Sequence, residues 1–183
     1  FYYNQTGNGT LSGTVVLTQN LIVNSGEQLT ILPGTTIKFD PGVSMIIQGK
    51  LIAQGSLGQR IVFEPSDPSL TTPGSWGSIS FQNSSAQGSI LDNVVVKYGT
   101  EIQVINTYQV TIQNSDIIST INGVNLSGSW GCPIYSNKIL NPRDHGIIFQ
   151  NGSHGTMGRC DLNSISKTNN SGAAILFSGG SEG

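Results

Sequence analysis

The chain has 183 residues, a length that suits one compact domain or a repeat array of about seven units. Only 10% of the residues are charged, against about 25% in an average globular domain, and the formal net charge is −2. The sequence contains neither a basic stripe nor a long apolar run, which argues against a nucleic-acid partner and against membrane insertion.

The first segment, residues 1–20, is rich in Gly, Asn and Thr, and we interpret it as a lead-in that caps the domain or takes part in assembly. Phe1, Tyr2 and Tyr3 are its candidate assembly contacts. The chain opens without a Met or a charged segment, which is typical of a mature secreted product or of a fragment.

A triplet of a branched apolar residue, any residue and a large apolar residue then recurs at intervals of 18 to 28 residues. The alternation predicts a strand whose two apolar side chains share one face. The recurrence predicts a stack of turns that bury these faces against each other, with one short strand per turn. The triplets are Ile37-Lys38-Phe39, Ile61-Val62-Phe63, Ile79-Ser80-Phe81, Ile102-Gln103-Val104, Val124-Asn125-Leu126, Ile147-Ile148-Phe149 and Ile175-Leu176-Phe177.

Turn residues separate these strands, and Gly and β-branched residues exclude any long helix. Residues 64–75 contain three prolines and are predicted to form the longest loop. We expect the solenoid to occupy residues 21–177, with a Gly/Ser-rich end or truncation point at 178–183. Seven turns about 4.8 Å apart form a rod on the order of 35 Å long, and both of its ends should expose apolar rungs.

A second repeat places an asparagine at positions 114, 137 and 163. Asparagines at equivalent sites of stacked turns can form hydrogen bonds along the axis and satisfy backbone groups at a tight bend. We therefore interpret Asn114, Asn137 and Asn163 as a structural ladder.

Four segments of the first half resemble secreted right-handed parallel β-helix proteins, and the repeats after about residue 110 resemble the pectin-lyase-like β-helix repeat. The resemblance covers residues 21–177. It implies an all-β fold, a right-handed single-stranded parallel β-helix of about seven turns. Because this fold hosts lyases, hydrolases, adhesins and stalks, the activity stays open. The segments are Leu29-Thr30-Ile31-Leu32-Pro33-Gly34-Thr35-Thr36-Ile37-Lys38-Phe39, Gly49-Lys50-Leu51-Ile52-Ala53-Gln54-Gly55, Arg60-Ile61-Val62-Phe63 and Trp76-Gly77-Ser78-Ile79-Ser80-Phe81.

The resemblance invites a search for polysaccharide-cleaving residues. The polygalacturonase branch carries Asn-x-Asp, paired aspartates, His-Gly and Arg-x-Lys on successive turns. This chain has Asn114-Ser115-Asp116 and His145-Gly146 but neither the aspartate pair nor Arg-x-Lys. Its scattered acidic residues do not form the carboxylate cluster of a calcium-dependent lyase. The candidate catalytic residues are Asp116, Arg143, Asp144 and His145, and the alternative for 143–145 is a solvated turn.

Cys132 and Cys160 are the only cysteines, and a disulfide between them and two reduced thiols are both compatible with the sequence. No cofactor and no metal site is indicated. Asn-x-Ser/Thr sequons are candidate glycosylation sites in a secreted chain. They lie at Asn4, Asn8, Asn83, Asn125, Asn151 and Asn169.

Four aromatic residues outside the triplets, Tyr98, Tyr108, Trp130 and Tyr135, are predicted to lie near turns. They could stack on sugars or simply pack against the rod. The sequence favours an extracellular structural or adhesive module that self-associates through its ends, stacking end to end into a filament or a surface layer. The alternatives are a polysaccharide lyase or glycoside hydrolase, and a non-catalytic module that binds glycans.

Overall fold

The computed structural model, which describes residues 8–153, 163–168 and 171–181, is a parallel β-solenoid with three strands per turn. It has six complete turns and two strands of a seventh, slightly fewer than the seven expected. All neighbouring strands within the three sheets are parallel. We name the sheets first, second and third in the order in which each turn visits them.

The first sheet holds β1 (Gly9–Leu11), β4 (Gln28–Ile31), β7 (Lys50–Gln54), β10 (Ile90–Asp92), β13 (Thr111–Gln113) and β16 (Ile134–Tyr135). The second holds β2 (Thr14–Leu17), β5 (Thr36–Phe39), β8 (Ile61–Pro65), β11 (Val94–Lys97), β14 (Asp116–Ile118), β17 (Lys138–Leu140) and β19 (Ser164–Ser166). The third holds β3 (Leu21–Val23), β6 (Met45–Ile47), β9 (Ile79–Gln82), β12 (Ile102–Ile105), β15 (Val124–Ser127), β18 (Ile147–Gln150) and β20 (Ile175–Phe177). We call the bends after the first, second and third sheets the first, second and third corners.

The prediction of one strand per turn is wrong, because the triplets come from two different sheets. The first two triplets lie on β5 and β8 of the second sheet, and the other five lie on the third sheet. Ile37 pairs with Phe63, not with Ile61, so even the first two copies are offset by two residues. The interval between Ile61 and Ile79 is therefore not a whole turn, since β8 and β9 follow one another within the third turn.

The core is a column of apolar side chains that point inward from all three sheets. Along the strands of the first six turns, inward residues are buried while most of their neighbours stay partly exposed, as in the buried–intermediate–buried pattern of β12. Such burial is the main favourable term in folding. Close packing also leaves no room for a side chain at some bends: a Cβ on Gly123 would lie 2.3 Å from the carbonyl oxygen of Gly146.

A 13-residue connection, 66–78, follows β8 and contains most of the predicted long loop. It places Trp76 in the core, where the indole is 1% exposed and stacks on Phe39 with ring centroids 4.1 Å apart. The indole Nε1 donates a hydrogen bond to the carbonyl of Lys97 at 2.8 Å. The connection is thus anchored at its end, with the polar atom of Trp76 satisfied.

The first corner carries an internal polar ladder. The Oδ1 of the fully buried Asn137 accepts the backbone N–H of Ser115 at 3.1 Å, and the Oδ1 of Asn163 accepts the N–H of Asn137 at 3.0 Å. The Asn137 Nδ2 also donates to the Ile112 carbonyl at 2.9 Å. The ladder of Asn137 and Asn163 is confirmed, and it satisfies backbone groups that the bend would otherwise bury without partners.

Asn114, by contrast, is not part of this ladder. The strand register makes Ser115 the equivalent of Asn137, since Asp116 pairs with Lys138. Asn114 precedes the ladder and has a left-handed backbone with φ of 51°, as do Asn93 and Ser136 in neighbouring turns. Asparagine tolerates this conformation better than most residues. At this bend the ladder residues therefore satisfy buried backbone groups, whereas Asn93 and Asn114 accommodate the left-handed backbone.

The two ends of the rod differ, contrary to the expectation that both expose apolar rungs. In the first turn Leu11, Leu21 and Val23 are at most 4% exposed. In the last turn Ile175 and Phe177 are 42% and 46% exposed. We call β19 and β20 the last rung, and its exposed apolar side chains form the open apolar end of the described part of the rod. The strands of the first turn begin at residue 9, within the segment 1–20 that we had interpreted as a lead-in.

Replacing Asn137 by Ala should destabilise the fold by at least about 2 kcal/mol, because a buried N–H and a buried carbonyl lose their partner. Urea unfolding followed by circular dichroism measures this change. Lys138→Ala is the matched control: its exposed side chain follows directly in the chain, and its removal should change the free energy of unfolding by less than about 0.5 kcal/mol. Equal effects of the two substitutions would contradict the ladder's role.

Candidate functional site

A surface cavity of about 570 Å³ forms a groove along the first corner. It forms because each turn contributes the residues that flank the same bend, so that side chains from several turns line up along the axis. We call it the corner groove. Its walls include Leu57, Arg60, Asn114, Asp116 and Lys138. Among the candidate catalytic residues, Asp116 alone lies here.

Asp116 is held by an ion pair across the groove. The Nη1 of Arg60 lies 2.5 Å from the Asp116 Oδ2, and the Arg60 Nη2 donates to the carbonyls of Val94 and Asn114 at 2.7 and 3.2 Å. Lys138, on the strand next to Asp116, has an exposed side chain and no ion pair among the described residues. The groove therefore presents one neutralised carboxylate and one exposed cation.

Beside the groove, side chains around Asp92 form a closed network of hydrogen bonds. The Asp92 Oδ1 accepts the Nδ2 groups of Asn93 and Asn114, both at 2.9 Å, and its Oδ2 accepts the Gln113 Nε2 at 2.8 Å. The Tyr135 hydroxyl in turn donates to the Gln113 Oε1. Because these groups satisfy each other, they rigidify the corner more than they offer free donors to a ligand.

The other three candidate catalytic residues lie at a different corner. Arg143, Asp144 and His145 follow β17 at the second corner, whereas Asp116 begins β14 at the first corner. Arg143 and Asp144 form a two-pronged ion pair, with Nε–Oδ1 and Nη2–Oδ2 distances both 3.1 Å. The hydrogen bond from Arg143 holds the pKa of Asp144 below its usual range. The four candidates therefore do not form one site.

His145 takes part in backbone hydrogen bonding rather than in a free acid–base pair. Its Nδ1 accepts the N–H of Ala173 at 2.9 Å, and its own backbone N–H donates to the Asn122 Oδ1 at 3.1 Å. Both contacts fasten one turn to the next. This is the geometry expected of the solvated turn that the sequence left as the alternative for 143–145.

Sequence reasoning missed a buried carboxylate on the outer side of the third sheet. Glu101 is 5% exposed, and its oxygens accept amide N–H groups from Gln103 at 2.5 Å, Asn122 at 2.8 Å and Asn125 at 3.2 Å. Gln103 and Asn125 lie on the equivalent strands β12 and β15, and Glu101 and Asn122 precede these strands, so only the correct register would have revealed the cluster. Three amide donors satisfy the charge without a cation.

The four candidate aromatic residues lie at three separate places on the rod. Tyr135 is on strand β16, not at a turn, and Tyr98 lines a cavity of about 300 Å³ beneath the 66–78 connection. Tyr108 and Trp130 come together at the third corner, where their rings stack with centroids 4.9 Å apart and planes 8° from parallel. Trp130 is 54% exposed.

The Cys132 thiol is in the core, 2% exposed, with its Sγ 3.5 Å from the Trp130 carbonyl oxygen. Burial raises the pKa of this thiol, which lowers its reactivity. Cys160 lies outside the described residues, so the disulfide stays a prediction. Within the described parts of the chain, no group of three His, Cys, Asp or Glu side chains could hold a metal ion.

The sequons differ in how available their amides are. Asn8, Asn83 and Asn151 are exposed, although the Asn151 Nδ2 donates to the Ser127 hydroxyl at 2.8 Å. The Asn125 Nδ2 is engaged by Glu101. Asn4 and Asn169, like the assembly candidates Phe1, Tyr2 and Tyr3, lie outside the described residues. No helix in the described ranges is long and apolar enough to cross a membrane.

Comparison with known proteins gives one local similarity. No family model and no solved structure matches the chain. A segment of 52 residues is 40% identical to a part of protein bark beetle of Drosophila melanogaster. The match covers 28% of this chain and spans only 2% of the length of that protein. The similarity is therefore local, and it leaves the function of this chain to be argued from its own structure.

Arg143→Ala should raise the pKa of Asp144 toward its usual range, because the guanidinium hydrogen bonds that lower it are lost. The carboxyl carbon shift of Asp144, followed by NMR across acidic pH, measures this. A depressed carboxyl pKa adds stability above its unfolded-state value and loses it as pH falls through the folded-state pKa. Since both side chains are largely solvent-screened, the stability change should be small. An unchanged titration of Asp144 would contradict the ion pair.

Proposed function

We propose that this chain is an extracellular structural or adhesive β-solenoid module that associates with a second copy through its last rung. The observation that carries this proposal is the open apolar end. Ile175 and Phe177 are more than two-fifths exposed, whereas equivalent side chains in the turns before are buried. We also assign the chain, as part of the proposal, to the secreted branch of the pectin-lyase-like superfamily.

The chemistry of the last rung supports self-association. Its strands read Ser164-Ile165-Ser166 and Ile175-Leu176-Phe177, without a charged side chain. One face of Phe177 already stacks on Phe149 of the turn before, with the ring centroids 4.9 Å apart. This contact repeats the turn-to-turn packing of the core. Both strands are also the terminal strands of their sheets, with one edge unpaired among the described strands. Such an edge is a template for another strand.

The buried apolar side chains of the first described turn favour a dimer over a filament, although β1, β2 and β3 are also terminal strands of their sheets. Head-to-tail growth needs two complementary open ends on each copy, whereas contact between like ends closes after two copies. Because Leu11, Leu21 and Val23 are already covered, the last rung of one copy would meet the last rung of another. The exposed sequons at Asn8, Asn83 and Asn151 are compatible with an extracellular, glycosylated exterior.

The same proposal describes a module without catalysis. Asp116 is ion-paired with Arg60, and Asp144 with Arg143, at separate corners of the rod. An inverting glycosidase needs two facing carboxyl groups about 6.5–9.5 Å apart, one of them protonated. The lowered pKa of Asp144 keeps this group ionised, which is unsuited to the acid role.

The wild-type protein should show a concentration-dependent mass that reaches that of a dimer, and the double variant Ile175→Lys with Phe177→Lys should stay monomeric. Burying a lysine against the partner's apolar rung would oppose association. Sedimentation equilibrium measures both masses. Ile22→Lys is the matched control, because Ile22 is similarly exposed, at 38%, but lies on the outer face of the first turn. It should dimerise as the wild type does.

A wild-type monomer at all concentrations would overturn the self-association, and a continuous series of higher masses would overturn the closed dimer. Deleting residues 1–8, which contain Phe1, Tyr2 and Tyr3, tests the other end. If this deletion abolishes the assembly, the contact involves residues 1–8 instead of the last rung.

The purified chain should not cleave acidic polysaccharides, with or without calcium. Release of unsaturated products is followed by ultraviolet absorbance, and release of reducing ends by a colorimetric assay. Turnover that Asp144→Asn or Asp116→Asn abolishes, while Lys138→Ala retains it, would overturn the non-catalytic assignment and favour a lyase or hydrolase.

A further inference from the structure

The stacked pair of Tyr108 and Trp130 is an aromatic surface that the proposed assembly does not use. The two tryptophans of the chain have opposite environments: Trp76 is 1% exposed, and Trp130 is 54% exposed. Tyr108 covers one face of the indole, with the rings 8° from parallel. Large aromatic rings are usually mostly buried, so an indole that is more than half exposed marks a candidate interaction surface.

This surface is held rigidly by the third corner. Tyr108 and Trp130 occupy equivalent positions in successive turns and form a parallel backbone bridge. The residue before Trp130, Ser129, is fully buried, and its hydroxyl donates to the Val104 carbonyl at 2.9 Å. The Ser129 N–H donates to the Ser153 hydroxyl at 3.1 Å. Because the backbone and the ring stack are already ordered, a ligand would find a preformed surface.

The two segments that carry the pair are polar and uncharged. Residues 105–111 and 127–133 contain no Asp, Glu, Lys or Arg. The exposed side chains of Gln87 and Gln109 lie on the same edge of the rod and are joined by a hydrogen bond of 2.5 Å. An amide offers both donors and acceptors, which suits hydroxyl groups, and nothing in the two segments would recognise a carboxylate, sulfate or phosphate.

We propose that Tyr108 and Trp130 form a binding site for a neutral oligosaccharide that runs along the third corner. The apolar C–H face of one sugar unit rests on the exposed indole of Trp130, and the hydroxyl groups of further units contact the amides of Gln109 and Gln87, which lie one and two turns before it. The ring supplies apolar contact at low entropic cost, and the amide pair supplies orientation. The site goes beyond the structural role proposed above and does not depend on it.

A proline-rich peptide also stacks on aromatic side chains, but it usually needs a groove between parallel aromatic ridges. Here the two rings lie against one another and form a single platform. The surface therefore suits a flat pyranose ring better than an extended peptide.

The test is calorimetric titration of the full chain with four neutral hexasaccharides: cellohexaose, xylohexaose, mannohexaose and chitohexaose. At least one should bind with a dissociation constant on the order of 1 mM or tighter. The same sugar should protect the more accessible tryptophan from acrylamide quenching, because Trp76 is already shielded in the core.

Trp130→Ala should weaken this binding at least about tenfold, which corresponds to about 1.4 kcal/mol. Trp130→Phe should retain part of the affinity because it keeps a ring. Leu57→Ala is the control, since Leu57 is an apolar side chain 94% exposed at a different corner, and it should bind as the wild type does. Circular dichroism checks that each variant is folded. The proposal is overturned by failure of all four sugars to bind, by equal affinity in Trp130→Ala, or by binding only of a proline-rich peptide.

Discussion

The hydrogen-bond ladder between backbones of successive turns is the interaction on which this molecule depends. Each strand satisfies its backbone groups with the strand of the turn before and the turn after, so no turn is complete without its neighbours. This requirement fixes the register, and the register places side chains at equivalent positions in axial rows. The core column, the Asn137–Asn163 ladder and the Tyr108–Trp130 stack are three results of the same constraint.

The corners, rather than the sheets, carry the chemically varied surfaces. A bend must turn the chain from one sheet to the next and still pair its backbone, which explains the left-handed residues such as Asn93 and Asn114 and the buried hydroxyl of Ser129. Once these needs are met, the residues beside each bend are free to vary. The corner groove around Asp116 and the indole of Trp130 both occur at such positions. A rod of uniform cross-section can in this way present different surfaces along each of its edges.

The sequence predicted the fold class because alternation of large apolar residues survives in strands of four residues, such as Ile102–Ile105. It could not predict three strands per turn. In strands of three residues, such as β10 and β14, only one residue points inward, Leu91 or Ile117. A single inward residue produces no alternation that could be recognised in the sequence. Connections of unequal length hid the register as well. The Arg60–Asp116 pair joins residues 56 apart in sequence. The sequence pattern aligned Asn114 with Asn137, although the residue equivalent to Asn137 is Ser115.

The connection after β8 shows how such a rod tolerates change in its sequence. β6, β9 and β12 stay in continuous register through Met45, Ile79 and Ile102, although the third turn contains an additional loop before β9. The extra residues leave the rod at the second corner, and Trp76 fastens the returning chain to Phe39. Insertions at a corner therefore alter the outline of one layer and leave the layers on either side untouched. In evolutionary terms the second corner is a place where new segments can be acquired without rebuilding the scaffold, and in engineering terms it is a natural point for grafting a peptide.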